Sequence, residues 1–494
     1  MKRINPTAAQ IANSPAAKLA AKLASSPAAQ MMNSQMAKVA PQIINPEIAK
    51  AAAQISRIAQ PYAEALQKFS HIEWIGKIPK CWDIVKTKRI FQNNKQVAGK
   101  YANDFERLAL TMNGVIKRDK DDADGLQPES FEGYQVLEEN QLVFKLIDLE
   151  NVKTSRVGLS PYTGIVSPAY IVLKNTQVDN RFFYYYYMNM YYQEIFNYMG
   201  GEGVRSALNA KDLLEVPLPK ISMTEQQVIA DYLDGECARI DGIVTTQRQI
   251  IERLKEYKKS VITEAVTRGL NPDAPMRNSG IDWIGKIPEH WEISKLKYYS
   301  KYITDGTHTT PEYLADGVPF LSIKDISTGK LDFSNTKYIS QQQHEELSKH
   351  APIEKGDILF TRIGTLGVSV IVETDITFDI FVSVGLLKPK DNINTKYLNY
   401  VMNSEYYYQY IQLVKAGEGT SAAKFNLSDV SNSPIVCPPL SEQQAISDYL
   451  DRKCSEIDSI IEKRELMIEL MTEYKKSLIY ECVTGKKEIV DVVE

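Results

Sequence analysis

Apolar residues recur at steps of four and three along two long stretches of the chain, and the stretches are versions of one another. The first aligns Leu233, Cys237, Ile240, Val244, Gln247, Ile251, Leu254, Val261 and Ala265. The second, 217 residues on, aligns Leu450, Cys454, Ile457, Ile461, Arg464, Ile468, Met471, Leu478 and Cys482. A stripe sustained over that many heptads predicts a coiled coil. Both copies interrupt it at the same places, with Gln247 or Arg464 and with Lys258 or Lys475. Polar seam residues cost stability and fix register, so the shared interruptions predict that the two helices pair with each other as a rod.

The ends of each stretch carry helix signals. Residues 224–241 read TEQQVIADYLDGECARID and residues 441–458 read SEQQAISDYLDRKCSEID. Thr224 with Gln227, and Ser441 with Gln444, have the spacing of a capping box. Pro217, Pro219, Pro438 and Pro439 stand upstream, and Gly269 and Gly485 close the far ends. Each copy therefore predicts one helix of about 45 residues, roughly 65 Å long.

A second repeat lies upstream of each helix. HIEWIGKIPKCW at 71–82 answers GIDWIGKIPEHW at 280–291, at an offset of 209. Between these edges the copies differ. Residues 141–149 (QLVFKLIDL) and 164–173 (GIVSPAYIVL) predict strands in the first, as do 317–326, 355–372 and 381–389 in the second. Each copy then turns helical and tyrosine-rich, at 182–198 and 397–411, before a glycine loop at 201–203 or 417–419. Tyrosines invite a base-stacking role, but aromatics at helical spacing beside a sheet read as core.

The fold class expected is mixed α/β, with two tandem globular domains, each followed by a long helix, and the two helices paired as a coiled coil. The boundaries are an Ala-rich extension at 1–70, a first domain at 71–220, a long helix at 221–270 and a linker at 271–282. A second domain at 283–437, a second long helix at 438–487 and a tail at 488–494 follow.

Composition changes this picture in two places. Residues 1–70 carry eight Lys+Arg against two Asp+Glu, while the whole chain is −4. Their Asn-Pro and Ser-Pro starts predict a string of short helices and a basic arm. The five cysteines lack a CxxC pair and read as small buried residues of a reducing cytosol. No apolar run reaches membrane-spanning length and no signal-peptide core follows the MKR start, so a cytoplasmic protein is expected.

Catalytic signatures are missing. The sequence has no GxxxxGK[ST] and no HExxH. Glu256-Tyr257-Lys258 and Glu473-Tyr474-Lys475 imitate a nuclease string but fall on the long helices, away from any sheet.

A helix opening EQQxIxxYLDxxxxxID and closing EYKKSLIxExVTG, present twice, resembles the specificity subunit of a type I restriction–modification system. So does GLNPDAPMRNSGIDWIGKIPEHW at 269–291. The resemblance covers about 71–487. It implies a non-catalytic subunit whose two domains each read one half of a split double-stranded DNA target. It also implies that the two domains are target recognition domains separated by a long antiparallel two-helix coiled coil, as a pseudo-two-fold repeat, whose paired helices would set the spacer and dock two methyltransferase subunits. S-adenosylmethionine, ATP and Mg would sit on partners, including the restriction/translocase subunits, with no cofactor or metal on this chain and no membrane. DGTHTTPEY at 305–313 and KGDILFTRIGTLG at 355–367 resemble one type of recognition domain and GIVSPAYIVL another, so unlike half-sites are implied.

Charge qualifies this. The first domain has 19 Lys+Arg and 19 Asp+Glu, and the second 15 against 18. Phosphate neutralisation supplies most nonspecific affinity, so the chain alone should bind DNA weakly and rely on local base contacts. The candidates are Arg107, Lys117, Arg118, Arg156 and Arg205 in the first domain, and Thr307, His308, Arg362 and Lys424 in the second. The rival readings are a tandem protein–protein scaffold and a self-contained nuclease or methyltransferase.

Overall fold

The computed structural model describes residues 67–489 apart from 94, 122–127, 148, 150–155, 176, 200–206 and 418–422. The expectations for residues 1–66 therefore lie outside the described residues. The chain divides into two compact units, one of Met1–Val244 with Glu469–Glu494 and the other of Thr245–Ile468.

In the first unit, β1 (Gln67–Phe69) pairs with β2 (Lys77–Pro79). β3 (Asp83–Lys86) begins the globule, followed by the hairpin β4 (Arg107–Thr111) and β5 (Gly114–Arg118). Next come β6 (Gln135–Leu137), β7 (Leu142–Phe144), β8 (Val157–Leu159), β9 (Gly164–Val166) and β10 (Ile171–Leu173). They form a four-stranded sheet in the order β5-β4-β9-β6 and a three-stranded sheet β10-β7-β8. The run at 164–173 is two strands because Pro168 interrupts it, with Tyr170 N donating to Ser167 O at 3.1 Å. Three short helices follow: α1 (Asn180–Tyr192), α2 (Ile195–Met199) and α3 (Ala210–Leu214). β11 (Pro217–Lys220) then returns to pair with β3. The tyrosines of α1 are mostly core: Tyr186 donates to Pro217 O at 2.6 Å, and Tyr187 meets Thr87 Oγ1 at 2.8 Å.

The first long helix, α4 (Met223–Arg268), contributes its N-terminal part to this unit. It does not open with the expected capping box. Ser222 Oγ accepts from Glu225 N at 3.2 Å, and Thr224 lies inside the first turn. Ser222 caps the helix without a reciprocal box, because the Glu225 side chain three residues on is engaged elsewhere. Glu225 accepts from Trp82 Nε1 at 2.7 Å, and Gln226 donates to Ile221 O at 3.0 Å.

The second unit repeats the frame around a different middle. β12 (Met276–Asn278) pairs with β13 (Lys286–Pro288). Then come β14 (Glu292–Lys295), β15 (Ser300–Asp305), β16 (Val318–Leu321), β17 (Lys337–Ile339) and α5 (Gln341–Leu347). β18 (Ile358–Thr361), β19 (Ser369–Ile371), β20 (Asp379–Ile380) and β21 (Val384–Pro389) complete two sheets, β15-β21-β18-β19 and β17-β16-β20. After α6 (Thr395–Met402), α7 (Glu405–Val414) and α8 (Leu427–Asn432), β22 (Pro434–Cys437) closes the frame on β14. The last helix, α9, spans Leu440–Val483. Ser441 is thus also inside its helix, since Pro439 stands where the first copy has the capping Ser222.

The long helices pack on each other inside each unit. In the second, Ile251, Ile457 and Ile461 are buried together, with Leu254 and Ile468 beside them and Leu450 in the main core. Arg464 Nη1 donates to Gln247 Oε1 at 2.5 Å and Lys258 Nζ to Asp458 at 2.7 Å, so the segments run antiparallel. In the first unit, Leu233, Cys237 and Ile240 meet Leu478, Ile479 and Cys482 in the core, with Val244 and Met471 against them. Lys475 Nζ reaches Asp241 at 2.6 Å. Burial pushes the Cys237 and Cys482 thiols up to about 11 and about 12. Cys81 is the exception to the expected buried set; it is exposed, one residue before the Trp82 that the fold takes in.

Candidate nucleic-acid interface

In the first unit the hairpin turns at Met112-Asn113, with Gly114 at φ +84°. Its register sets Arg107 opposite Arg118 and Leu108 opposite Lys117. Alternation along the strands sends the two pairs to opposite faces. Lys117 is exposed, its ammonium 5.3 Å from the centre of the Tyr162 ring. Arg107 is instead buried, stacked 5.5 Å from Phe131 and donating to Asp119 O at 3.3 Å. Arg118 is half-buried. Burial raises the Tyr170 hydroxyl above its ordinary value, and the charges of Arg107 and Arg118 oppose that. Arg156 is buried just before β8. Arg205 is outside the described residues.

The second unit gathers all four of its candidates. Arg362, which follows β18, is 8% exposed. Its guanidinium pairs with the buried Asp305 carboxylate at the end of β15, and Nη1 also donates to Val382 O at 3.2 Å. Its backbone accepts from Phe425 N at 2.8 Å, and Ile363 bridges Lys424. Thr307 is half-buried, while His308 and Lys424 are exposed. His308 Nε2 lies 3.1 Å from Asp305 Oδ2, and His350 Nε2 approaches Oδ1 at 4.0 Å. Nearby, His344 Nδ1 meets Asp379 Oδ2 at 2.7 Å. Burial raises the Asp379 carboxyl above its usual value, with His344 pulling it back. A cavity of about 200 Å³ opens here, lined by Thr307, His308, His350 and Asp379 among others.

Sequence reasoning missed Tyr162, whose exposure beside a lysine has no local signature. It also missed Asp305, although the DGTH string contained it. Among the described residues no cluster of three His, Cys, Asp or Glu side chains is arranged to hold a metal. No described helix is long and apolar enough to cross a membrane.

Comparison with known proteins bears on this geometry. A family model described as the type I restriction modification DNA specificity domain matches residues 82–256 and 288–470. The type I restriction enzyme EcoBI specificity subunit of Escherichia coli is 24% identical over 292 residues, covering 56% of this chain and 60% of the relative. The MjaVIII specificity subunit of Methanocaldococcus jannaschii is 26% identical over 281 residues, covering 55% and 62%. The match thus spans about 60% of those relatives' length. A solved chain from work on complex assembly and conformational transition of the type I R-M system shares the fold. Its TM-score is 0.61 at 15% identity, over 83% of this chain and 99% of that one.

Proposed function

We infer the function from one premise: the chain belongs to the type I restriction modification DNA specificity family, whose model matches it twice. The reading is a non-catalytic specificity subunit that recognises a bipartite double-stranded DNA sequence, one half per unit. The observation that carries it is a constant frame around unlike middles. Trp82 donates to Glu225 at 2.7 Å and Trp291 to Glu442 at 3.0 Å, and β3–β11 and β14–β22 close both globules alike. Between those edges the sheets differ in strand order and connection. Such a frame holds the reading surface still while the surface itself changes.

The antiparallel coiled coil and its pseudo-two-fold repeat belong to the same proposal. Lys258–Asp458 and Lys475–Asp241 are one ion pair written twice, at the 217-residue offset. Gln247 and Arg464 are counterparts that bond each other. The helices set the number of unread base pairs and dock two methyltransferase subunits, and restriction/translocase subunits join the complex. S-adenosylmethionine, ATP and Mg belong to those partners, which act in the cytoplasm. Lys117, Arg118, Thr307, His308 and Lys424 contact DNA, and the buried Arg107, Arg156 and Arg362 support them from behind.

The test is a swap of residues 292–437 for the matching stretch of another such subunit, read by genome-wide methylation mapping. One half of the modified sequence should change and the other persist. A change in both halves, or in neither, refutes the modular reading.

A further inference from the structure

The loop after β15 is fixed more tightly than an exposed loop needs to be. A Cβ on Gly306 would sit 2.0 Å from Ile380 O, so only glycine lets the chain pass. Thr307 N donates to Ile380 O at 3.2 Å, and Val382 N donates to Thr307 O at 3.0 Å. Thr307 Oγ1 accepts from Thr309 N at 3.1 Å. At the crest stands His308, with its side chain 70% exposed. Its ring is not free to turn, because Nε2 lies 3.1 Å from Asp305 Oδ2. Asp305 is in turn held by Arg362, with both side chains almost fully buried.

This chain of contacts determines what the imidazole offers. An aspartate paired to a guanidinium is an acceptor only, so the nitrogen meeting it carries the hydrogen. In the neutral ring Nδ1 is then a lone-pair acceptor. The major groove offers hydrogens to an acceptor at two places, the N6 amino group of adenine and the N4 amino group of cytosine.

We propose that His308 is a specificity-determining residue that accepts, through Nδ1, a hydrogen bond from the exocyclic amino group of an adenine or cytosine in the half-site read by the second unit. Asp305 and Arg362 are its positioning residues. The inference rests on the DNA-recognition reading above and adds the chemical group that is read.

The experiment uses the full chain in complex with its methyltransferase partner and duplex DNA carrying the mapped target. Binding is measured for wild type and His308→Ala, on the natural duplex and on duplexes in which one adenine or cytosine at a time lacks its amino group. At one position of the second half-site, removing the amino group should weaken wild type roughly 5–10-fold. His308→Ala should lose the same factor and be indifferent to the missing group. The exposed histidine does not hold the fold, so this variant reports on recognition. Asp305→Asn retains an oxygen for both neighbours and should keep the coupling. Asp305→Leu with Arg362→Met should abolish it at that position while the first half-site is still read. If every amino deletion costs His308→Ala as much as wild type, or if His308 couples to removal of a purine N7 acceptor instead, the assignment is overturned. A wild-type complex that prefers no bipartite sequence overturns the underlying functional reading as well.

Discussion

Replacing both Gln247 and Arg464 with leucine should stabilise the protein. The two are seam positions flanked by apolar residues, Val244 and Ile251 on one helix and Ile461 and Ile468 on the other. Arg464 Nη1 donates to Gln247 Oε1 at 2.5 Å, but its buried Nε–H meets no acceptor among the described residues. A buried unsatisfied donor costs roughly 1–3 kcal/mol, and the one charged hydrogen bond returns about 1.5–3 kcal/mol. Those terms nearly cancel. Two half-buried leucines then add about 1 kcal/mol each from apolar burial. The double variant should gain about 1–2 kcal/mol, in line with buried charges replaced by apolar groups. Gln247→Leu alone should instead lose about 1–3 kcal/mol, because the guanidinium keeps its burial and loses its acceptor. Urea denaturation of the full chain, followed by circular dichroism for wild type, both singles and the double, closes the cycle. A double variant less stable than wild type, or singles that simply add, would refute the assignment of this pair as a costly register device.

Gly485 ends α9 at φ +65°, and a Cβ there would lie 2.4 Å from Pro79 Cδ and 3.0 Å from the Trp82 ring. Gly485→Ala should therefore lower stability by more than about 2 kcal/mol, whereas Gly114→Ala, also left-handed but in open space, should lose only the ~1 kcal/mol of backbone strain; equal melting shifts would contradict this. Glu215 is held down near about 2 by its hydrogen bonds to Lys86 and Lys88. A depressed carboxylate contributes stability above its ordinary value of 4.5 that is lost as pH falls toward 2. Glu215→Gln should thus shift the urea midpoint at pH 7 and leave it unchanged near pH 2, and a larger shift in acid would reverse the sign of the argument.

Much of the frame is legible in the sequence because repetition exposes it. WIGKIP appears twice, and so does the long apolar stripe. A stripe with matching flaws signals pairing without any knowledge of the globules. The start of each long helix is misread because the capping-box spacing of Thr224 with Gln227 and of Ser441 with Gln444 falls just inside the first turn, and only the folded chain shows the helices beginning at Met223 and Leu440. The middles are harder. Arg362 and Arg107 look like surface arginines in a string of letters, and nothing local distinguishes a guanidinium that meets a buried Asp305 57 residues away. Contacts of that separation are what the sequence alone hides.

The frame also explains why the middles are free to differ. Each globule is sealed by the same pieces: a tryptophan bonded to the glutamate of the helix that follows, with a positive-φ glycine against its ring. Gly485 fills that place at Trp82, and Gly269, at φ +76°, does so at Trp291. Burying one such indole removes about 200 Å² from water, worth roughly 5 kcal/mol. On the proposed reading, a change in the hairpin at Lys117 or in the loop at His308 would alter what the surface presents while the tryptophan–glutamate bonds stay in place, so new reading chemistry would arise with little loss of fold stability.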